Sequence, residues 1–133
     1  MAGSPKEQSI EVRVRYCECD PMGVAHHSVY PVWLEMARTE LLRSQGAVYR
    51  DLEARDVLFV VIELNIRYRR PARYDDVLTI HVKELPGPGG KRVKVQHEYA
   101  IHRDQELLAT ASTTLACVNR QGRPIAIPEG IMD

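Results

Sequence analysis

The sequence predicts an α+β domain in which one long helix packs against a mainly antiparallel sheet of five strands. Three observations support this prediction: one stretch with helical periodicity, five stretches that alternate apolar and polar residues, and a length of 133 residues, typical of one domain. With a single long helix available, consecutive strands must pair largely antiparallel, and the curved sheet can wrap the helix. We expect a flexible N-terminus over residues 1–8, the domain over residues 9–128, and a tail over residues 129–133.

The composition is that of a globular protein and narrows the classes of function. Hydrophobic residues make up 44% of the chain, charged residues 27%, and the formal net charge is zero. A neutral chain lacks the positive field that nucleic-acid binding requires. The sequence has no apolar leader or membrane-spanning run, and its cysteines are odd in number: Cys17, Cys19 and Cys117. These features predict a cytoplasmic protein with reduced thiols.

The first strand and the turn after it are predicted from alternation and from turn residues. Ser9–Tyr16 alternates, so that one face of the strand would carry Ile10, Val12, Val14 and Tyr16. Asp20-Pro-Met-Gly23 predicts a turn, because proline fixes φ and glycine accepts backbone conformations that other residues avoid.

The long helix is predicted between Ser28, a suitable N-cap, and Gly46, a suitable residue just past the end. Pro31 is compatible with the helix only in the first turn. An apolar stripe with helical spacing consists of Tyr30, Leu34, Ala37 and Leu41. Two i,i+3 ion pairs are expected on the outer side, Glu35–Arg38 and Glu40–Arg43.

The period changes to two after a short helical segment at Tyr49–Arg55. Four further strands are predicted, at Ile62–Arg69, Leu78–Lys83, Val93–Ile101 and Leu107–Val118. Turn residues separate them at Pro71–Asp76, at Pro86–Gly90 and around Asp104.

The strand, turn and helix start carry a motif that resembles a known family. The run Tyr16-x-Glu18-x-Asp20-x-x-Gly23-Val-x-x-His27-x-x-Tyr30 resembles the 4-hydroxybenzoyl-CoA thioesterase family. Two further segments resemble the acyl-CoA thioesterase branch of this family, which is associated with Tol-Pal gene clusters. They are Glu35-x-Ala37-Arg38-Thr39-Glu40-x-Leu42-Arg43 and Ile66-x-Tyr68-x-x-Pro71-Ala72-x-x-Asp75-Asp76. The resemblance implies a hotdog fold, and a homo-oligomer that is at least a dimer and in many relatives a tetramer. It implies no cofactor, since CoA is part of the substrate.

The candidate catalytic residues lie where the first strand meets the helix. Thioester hydrolysis needs a group that attacks the carbonyl or activates water, and a donor that stabilises the oxyanion. The residues alone place Asp20 there, and they fit a turn aspartate that binds backbone N–H groups equally well. The resemblance implies that Asp20 is catalytic, as nucleophile or general base, and that the donor is the amide of His27 at the helix start. The His27 side chain could also orient the thioester or the water.

The remaining candidates would contact the substrate. By the resemblance, Tyr16, Gly23 and Tyr30 lie close to it. The CoA phosphates need cations, and two groups are available: Lys91 and Arg92 after the glycine-rich connection, and the cluster Arg67, Arg69 and Arg70, of which we assign Arg67 and Arg70. The CoA site of this family lies between subunits, so the two groups need not come from one chain.

The same residues allow three other interpretations. A metal site has candidate ligands in Cys17, Cys19, Asp20, His26 and His27, but no second ligand pair with metal-binding spacing follows, and we predict none. A hotdog dehydratase of fatty-acid synthesis would use a histidine before the helix and an acid within it, here His27 and Glu35. A non-catalytic acyl-CoA-binding protein usually carries an appended DNA-binding segment, for which 133 residues leave no room. The Asp20-x-x-Gly23 turn favours the thioesterase.

Overall fold

The computed structural model describes residues 5–87 and 92–128 of the chain. The elements are β1 (Glu7–Arg13), α1 (Tyr30–Ser44), α2 (Tyr49–Ala54), β2 (Leu58–Tyr68), β3 (Val77–Glu84), β4 (Lys94–Arg103) and β5 (Glu106–Val118), with short 3-10 turns at Tyr16–Glu18 and His27–Val29. The strands form one sheet in the order β1-β3-β4-β5-β2, and every neighbouring pair is antiparallel. The predicted fold class is confirmed. No helix in the described ranges is long and apolar enough to cross a membrane.

The core lies between α1 and the inner face of the sheet. The predicted helical stripe of Tyr30, Leu34, Ala37 and Leu41 is buried, together with Trp33. It packs against strand residues whose side chains point to the same side of the sheet, namely Leu78, Ile80, Ile101 and Leu108. Burial of one such large side chain contributes about 1.5–3 kcal/mol to folding, so this layer fixes the helix on the sheet.

The ends of α1 agree with the prediction at one terminus and differ at the other. Gly46 follows the helix with a φ of +87°, the left-handed conformation expected just past a helix end. The prediction that Ser28 is the N-cap is wrong, because His27–Val29 forms a separate 3-10 turn and the N-cap position is Val29. Pro31 lies in the first turn of α1, where its missing N–H has no intrahelical acceptor.

β1 begins earlier and ends earlier than predicted: it starts at Glu7, inside the segment expected to be flexible, and stops at Arg13, so Tyr16 lies outside it. The partner strand β3 begins at Val77, opposite Arg13, so no ladder partner remains for the residues that follow. The Glu18 carboxylate then accepts the Arg15 N–H at 2.7 Å and closes the 3-10 turn. Tyr16 is consequently 80% exposed and does not share the buried face of the strand.

Arg38 corrects the predicted outer face of α1. The expected Glu35–Arg38 ion pair is absent among the described residues, because Arg38 points into the protein and is only 6% exposed. Its guanidinium donates to the Tyr99 hydroxyl at 3.1 Å on β4. The predicted Glu40–Arg43 pair is confirmed at 3.2 Å.

β2 is a long strand at one edge of the sheet, with an irregularity between Val61 and Glu63. Several of its apolar residues are 42–51% exposed, namely Val60, Val61, Ile62, Leu64 and Tyr68. Long apolar edge strands are usually paired or covered in stable proteins, because their free N–H and C=O groups bind other strands.

Candidate active site

The predicted Asp20–Gly23 turn is present and is closed by backbone hydrogen bonds. The Gly23 N–H donates to the Asp20 carbonyl at 2.9 Å, and the Asp20 N–H donates to the Val24 carbonyl at 2.9 Å. Gly23 has a φ of +79°, which glycine adopts without the steric cost that other residues have. The Ala25 N–H donates to the Ala72 carbonyl at 2.8 Å, which ties the turn to the segment after β2.

The two carboxylate oxygens of Asp20 have different surroundings. Oδ1 accepts the N–H of Met22 at 2.8 Å and that of Val24 at 3.3 Å. Oδ2 has no hydrogen-bond partner within residues 5–87 and 92–128. One oxygen therefore holds the turn, and the other is available to a substrate or a water molecule.

Two histidines form the entry to α1. The ring of His26 accepts the Ser28 N–H at 3.2 Å and lies 2.7 Å from the Ser28 hydroxyl. The Val29 N–H donates to the His26 carbonyl at 3.0 Å. The N–H of His27 has no partner in the part of the chain that the structure describes, as is usual for the first donors of a helical segment.

Tyr68, at the end of β2, connects the sheet to this entry. Its hydroxyl donates to the His27 carbonyl at 2.9 Å. Its ring meets Tyr30 edge-on with centroids 4.8 Å apart, and Tyr30 in turn contacts Trp33 at 4.9 Å. Burial raises the pKa of the Tyr30 hydroxyl, opposed in part by its hydrogen bond with the Ala72 backbone, so this group is neutral at physiological pH.

A cavity of about 290 Å³ lies beside the helix entry and is lined by Ala25, His27, Tyr30, Tyr68, Arg69, Arg70 and Pro71. A wider cleft of about 810 Å³ is lined by Arg69, Arg70, Gln105, Glu106 and Leu107. The two spaces share Arg69 and Arg70. An aromatic cavity therefore borders a cleft with two cations at their common boundary.

The two shared arginines differ in their ion pairs. Arg70 Nη1 lies 3.2 Å from Glu106 Oε2, and Glu106 also contacts Arg103. Arg103 pairs in turn with Asp76 at 2.7 Å, which anchors this network to the loop after β2. The Arg69 side chain has no ion pair or hydrogen bond with any described residue. Arg69 is therefore the shared cation without a counter-ion in the described chain.

The structure brings some predicted site residues together. His27, Tyr30 and Arg70 line one cavity. Asp20 and Gly23 belong to the turn that precedes the same helix entry, and neither lines that cavity in the single chain.

Other predicted contacts lie apart from the cavity in the single chain. Tyr16 packs edge-on against Tyr74 at the surface, with centroids 5.6 Å apart. Arg67 pairs with Thr110 and, by strand alternation, points to the sheet face opposite Tyr68. Arg92 lies near the end of β3, 3.8 Å from the Glu84 carboxylate. Lys91 lies outside the described residues.

The structure also shows where the residues of the metal and dehydratase interpretations lie. Over residues 5–87 and 92–128, no group of three His, Cys, Asp or Glu side chains could hold a metal ion. Glu35, the acid of the dehydratase interpretation, is exposed on α1 and does not line the cavity.

The sequence did not indicate Tyr68 as a site residue, and it indicated Arg69 only as a member of the arginine cluster from which Arg67 and Arg70 were assigned. Both stand in the quoted Ile66-to-Asp76 segment, yet neither the alternation nor the run of arginines indicates that the end of β2 reaches the helix entry.

Comparison with known proteins identifies the family. Residues 14–133 match the thioesterase-like superfamily. The chain is 34% identical over 122 residues to the acyl-CoA thioester hydrolase YbgC of Escherichia coli, covering 91% of this chain and 90% of that protein. It is 33% identical over 127 residues to the acyl-CoA thioesterase YbgC of Haemophilus influenzae, covering 92% and 90%.

A solved structure supports the same conclusion. The Thermus thermophilus protein TT1821 matches with a TM-score of 0.84 and 37% identity, over 92% of this chain and 90% of that chain. The predicted hotdog fold and family resemblance are confirmed, and the predicted enzyme class agrees with the names of both YbgC relatives. The chain belongs to the thioesterase-like superfamily.

Proposed function

We propose that this protein hydrolyses the thioester of an acyl- or aroyl-CoA to the free acid and CoA. The observation that carries the proposal is the N–H of His27, which has no partner among the described residues and lies beside an aromatic cavity, at the helix entry that follows the Asp20 turn. A fixed amide donor stabilises the oxyanion that forms when a thioester carbonyl is attacked. The substrate class is taken from the two YbgC relatives, which are named for acyl-CoA.

Asp20 is proposed as the reactive carboxylate, through Oδ2. In one route Oδ2 attacks the carbonyl carbon, CoA leaves as the thiolate, and water hydrolyses the resulting anhydride. In the other route Oδ2 accepts a proton from the water that attacks the carbonyl, and the tetrahedral intermediate expels the thiolate. The His27 amide would bind the oxyanion in both routes, and the two remain alternatives.

Substrate contacts are proposed for the residues around the cavity. Tyr30 and Arg70 line it. For Gly23, which closes the Asp20 turn, the contact is proposed from the resemblance. We propose that the cations at its boundary meet the CoA phosphates. Contacts from Tyr16, Arg67, Lys91 and Arg92 stay predictions, and in an oligomer they could come from a second subunit.

We also propose a homo-oligomer formed through β2. Pairing with a second copy would supply ladder partners to this edge and cover apolar side chains that one chain leaves exposed. Because Tyr68 ends β2 and lines the cavity, such a dimer would place a second subunit next to the candidate site. The tetramer implied by the family resemblance stays a prediction.

The proposal is tested by Asp20→Asn. Asparagine keeps an Oδ1 acceptor for the Met22 and Val24 amides, so the turn should persist while the anionic Oδ2 is lost. We expect kcat for acyl-CoA hydrolysis to fall by about 10²–10⁴-fold, the usual effect of losing such a group, with CoA binding retained. Asp75→Asn is the matched control, since Asp75 is a surface carboxylate in the loop before β3, and its substitution should leave kcat unchanged.

Release of the CoA thiol would be followed with a thiol reagent over short, long and aromatic acyl-CoAs. Full activity in Asp20→Asn would contradict the assigned role of Asp20. Hydration of a crotonyl thioester without hydrolysis would identify a dehydratase, and CoA binding without turnover would identify a non-catalytic binding protein.

A further inference from the structure

A serine, a histidine and a glutamate contact one another in series on the outer face of the sheet, the face opposite α1. Ser9 Oγ lies 2.9 Å from His81 Nδ1, and His81 Nε2 lies 2.8 Å from Glu7 Oε1. A nucleophile, a base and an acid linked in this order form the arrangement that activates serine in many hydrolases. We propose that Ser9 is the nucleophile of a second site, which reacts with small carboxylic esters. This site shares no residue with the Asp20 turn and is independent of the proposed thioesterase function.

The register of β1 and β3 explains why the three side chains meet. The Glu84 N–H donates to the Lys6 carbonyl at 2.7 Å. Pairs with and without backbone hydrogen bonds alternate from there, so Ser9 and His81 form a directly opposite pair without them. In antiparallel sheets the side chains of such pairs approach each other most closely. Glu7 lies two residues before Ser9 and therefore on the same face of the sheet.

The glutamate fixes the tautomer of the imidazole. An ionised carboxylate only accepts hydrogen bonds, so the neutral His81 ring carries its proton on Nε2, toward Glu7. Nδ1 then accepts the Ser9 hydroxyl proton, as a general base must. Ser28 offers a comparison, since its Oγ lies 2.7 Å from His26 Nδ1, but no carboxylate of the described chain contacts His26 Nε2. Of these two serine–histidine contacts, the first therefore has the complete set of groups.

Open space and a backbone donor lie beside the serine and the histidine. A cavity of about 340 Å³ on this face is lined by His81 and by small side chains that include Ala100 and Thr110. It offers room for a short acyl group. Because β1 is an edge strand and Ser9 has no backbone hydrogen bond to His81, the Ser9 N–H points to the free edge, where it donates to the Gln8 side chain at 3.0 Å. When that side chain rotates away, the N–H is a donor for an oxyanion.

The proposed reaction has two steps. Ser9 Oγ attacks the ester carbonyl and gives its proton to His81 Nδ1, which passes the proton to the departing alcohol. Water then attacks the acyl-Ser9 ester and gives a proton to His81, and Ser9 Oγ takes up that proton as the carboxylic acid leaves. The side chain of His81 is 38% exposed, so water reaches the acyl group. Glu7 is a positioning residue, because it holds the ring and touches no reacting atom.

The test uses a fluorophosphonate probe, which labels activated serines. Ser9 Oγ bonds to phosphorus, fluoride leaves, and the adduct is located by peptide mass spectrometry. We expect an adduct on Ser9 in the wild type and none at this position in Ser9→Ala. In His81→Gln the labelling rate should fall by about 10²-fold, the lower end of the effect of a general base. Ser112 is the internal control, because it is exposed on the same sheet face and has no histidine contact among the described residues, so it should stay unlabelled.

Variants of Glu7 test its positioning role. Glu7→Ala should slow the labelling of Ser9 by about tenfold, the effect of losing one hydrogen bond to a charged group. Glu7→Gln keeps an Oε1 acceptor for His81 Nε2 and should recover part of that rate, which a purely structural role of Glu7 would not produce.

An aryl acetate provides a second probe, and peptide mapping should then find an acetyl group on Ser9. A wild-type protein without an adduct on Ser9, or with Ser9 and Ser112 labelled equally, would overturn the proposal. Because the adduct is assigned to one residue, neither outcome bears on the hydrolysis proposed at the Asp20 turn.

Discussion

His97 makes folding stability sensitive to acid in a way that can be measured directly. It lies on β4, paired with Glu84 on one side and Thr113 on the other, and only 2% of it is exposed. Its Nδ1 has no hydrogen-bond partner among the residues that the structure describes. Burial, together with the positive charges of Arg38 and Arg92, lowers the pKa of His97 from its ordinary 6.5 to about 3.

The sign and size of the effect follow from linkage. Above pH 6.5 the imidazole is neutral in both the folded and the unfolded chain, so it adds no pH dependence. Below that pH the imidazole is protonated in the unfolded chain but stays neutral in the folded chain down to about pH 3. The free energy of unfolding therefore falls by about 1.4 kcal/mol per pH unit as the pH is lowered. At pH 5 the accumulated loss is about 2 kcal/mol.

The assay compares the wild type with His97→Leu by urea unfolding at pH 7.5 and at pH 5.0. Other titrating groups act equally on both proteins and cancel in the difference, and one protein concentration is used because subunit dissociation would otherwise contribute. We expect the stability of His97→Leu relative to the wild type to improve by about 2 kcal/mol between the two pH values. The expected change does not depend on how much the free energies of unfolding of the two proteins differ at pH 7.5.

Thr113→Val is the control for this comparison. It removes a buried hydroxyl that lies 2.6 Å from the Tyr99 hydroxyl in the same polar cluster, but no group that titrates between pH 5 and 7.5. Its difference from the wild type should be the same at both pH values. If the difference in unfolding free energy between His97→Leu and the wild type is also the same at both pH values, the reasoning is refuted, because the folded chain would then accommodate the imidazolium.

Two further predictions concern the boundary cations and the sheet edge. Arg69→Ala should raise KM for an acyl-CoA by about tenfold, typical of one charged hydrogen bond, and leave KM unchanged for the corresponding acyl-pantetheine, which has no phosphate. Equal effects on both substrates would contradict a phosphate contact. Arg43→Ala, on the exposed side of α1, is the control. Ile62→Lys, at an apolar edge position that is 51% exposed, should shift the protein toward monomer in sedimentation velocity, because a lysine buried in the β2 interface lacks a partner. An unchanged mass would argue for another interface.

The fold was predictable from sequence wherever one period dominates a stretch. In β3 and β4, alternation places Ile80 and Ile101 on the buried face, and both are buried. In α1, Leu34 and Leu41 fall on one helical stripe, and both lie in the core. The start of β2 was missed because the apolar run from Leu58 to Ile62 hides the alternation, so the strand begins earlier than predicted.

Positions that depend on distant residues were not predictable in the same way. Arg38 stands three residues after Glu35, which reads as a surface ion pair, but its partner Tyr99 lies 61 residues away in sequence. Tyr16 continues the alternation of β1, but the ladder stops where β3 stops. Tyr68 is likewise 41 residues from His27, the residue that its hydroxyl contacts. Local sequence patterns do not indicate which secondary-structure elements contact each other. The candidate site is formed by contacts between elements that are far apart in sequence.

Asp20 shows why its two sequence interpretations are compatible. A turn aspartate and a reactive carboxylate were alternatives when only the residue type was known. In the structure the turn uses Oδ1, through the amides of Met22 and Val24. Those two hydrogen bonds fix the plane of the carboxylate and therefore the direction of Oδ2, which a freely rotating surface aspartate would lack. The turn role thus supports the proposed role, because a carboxylate already held in one orientation loses less freedom when it attacks or activates water.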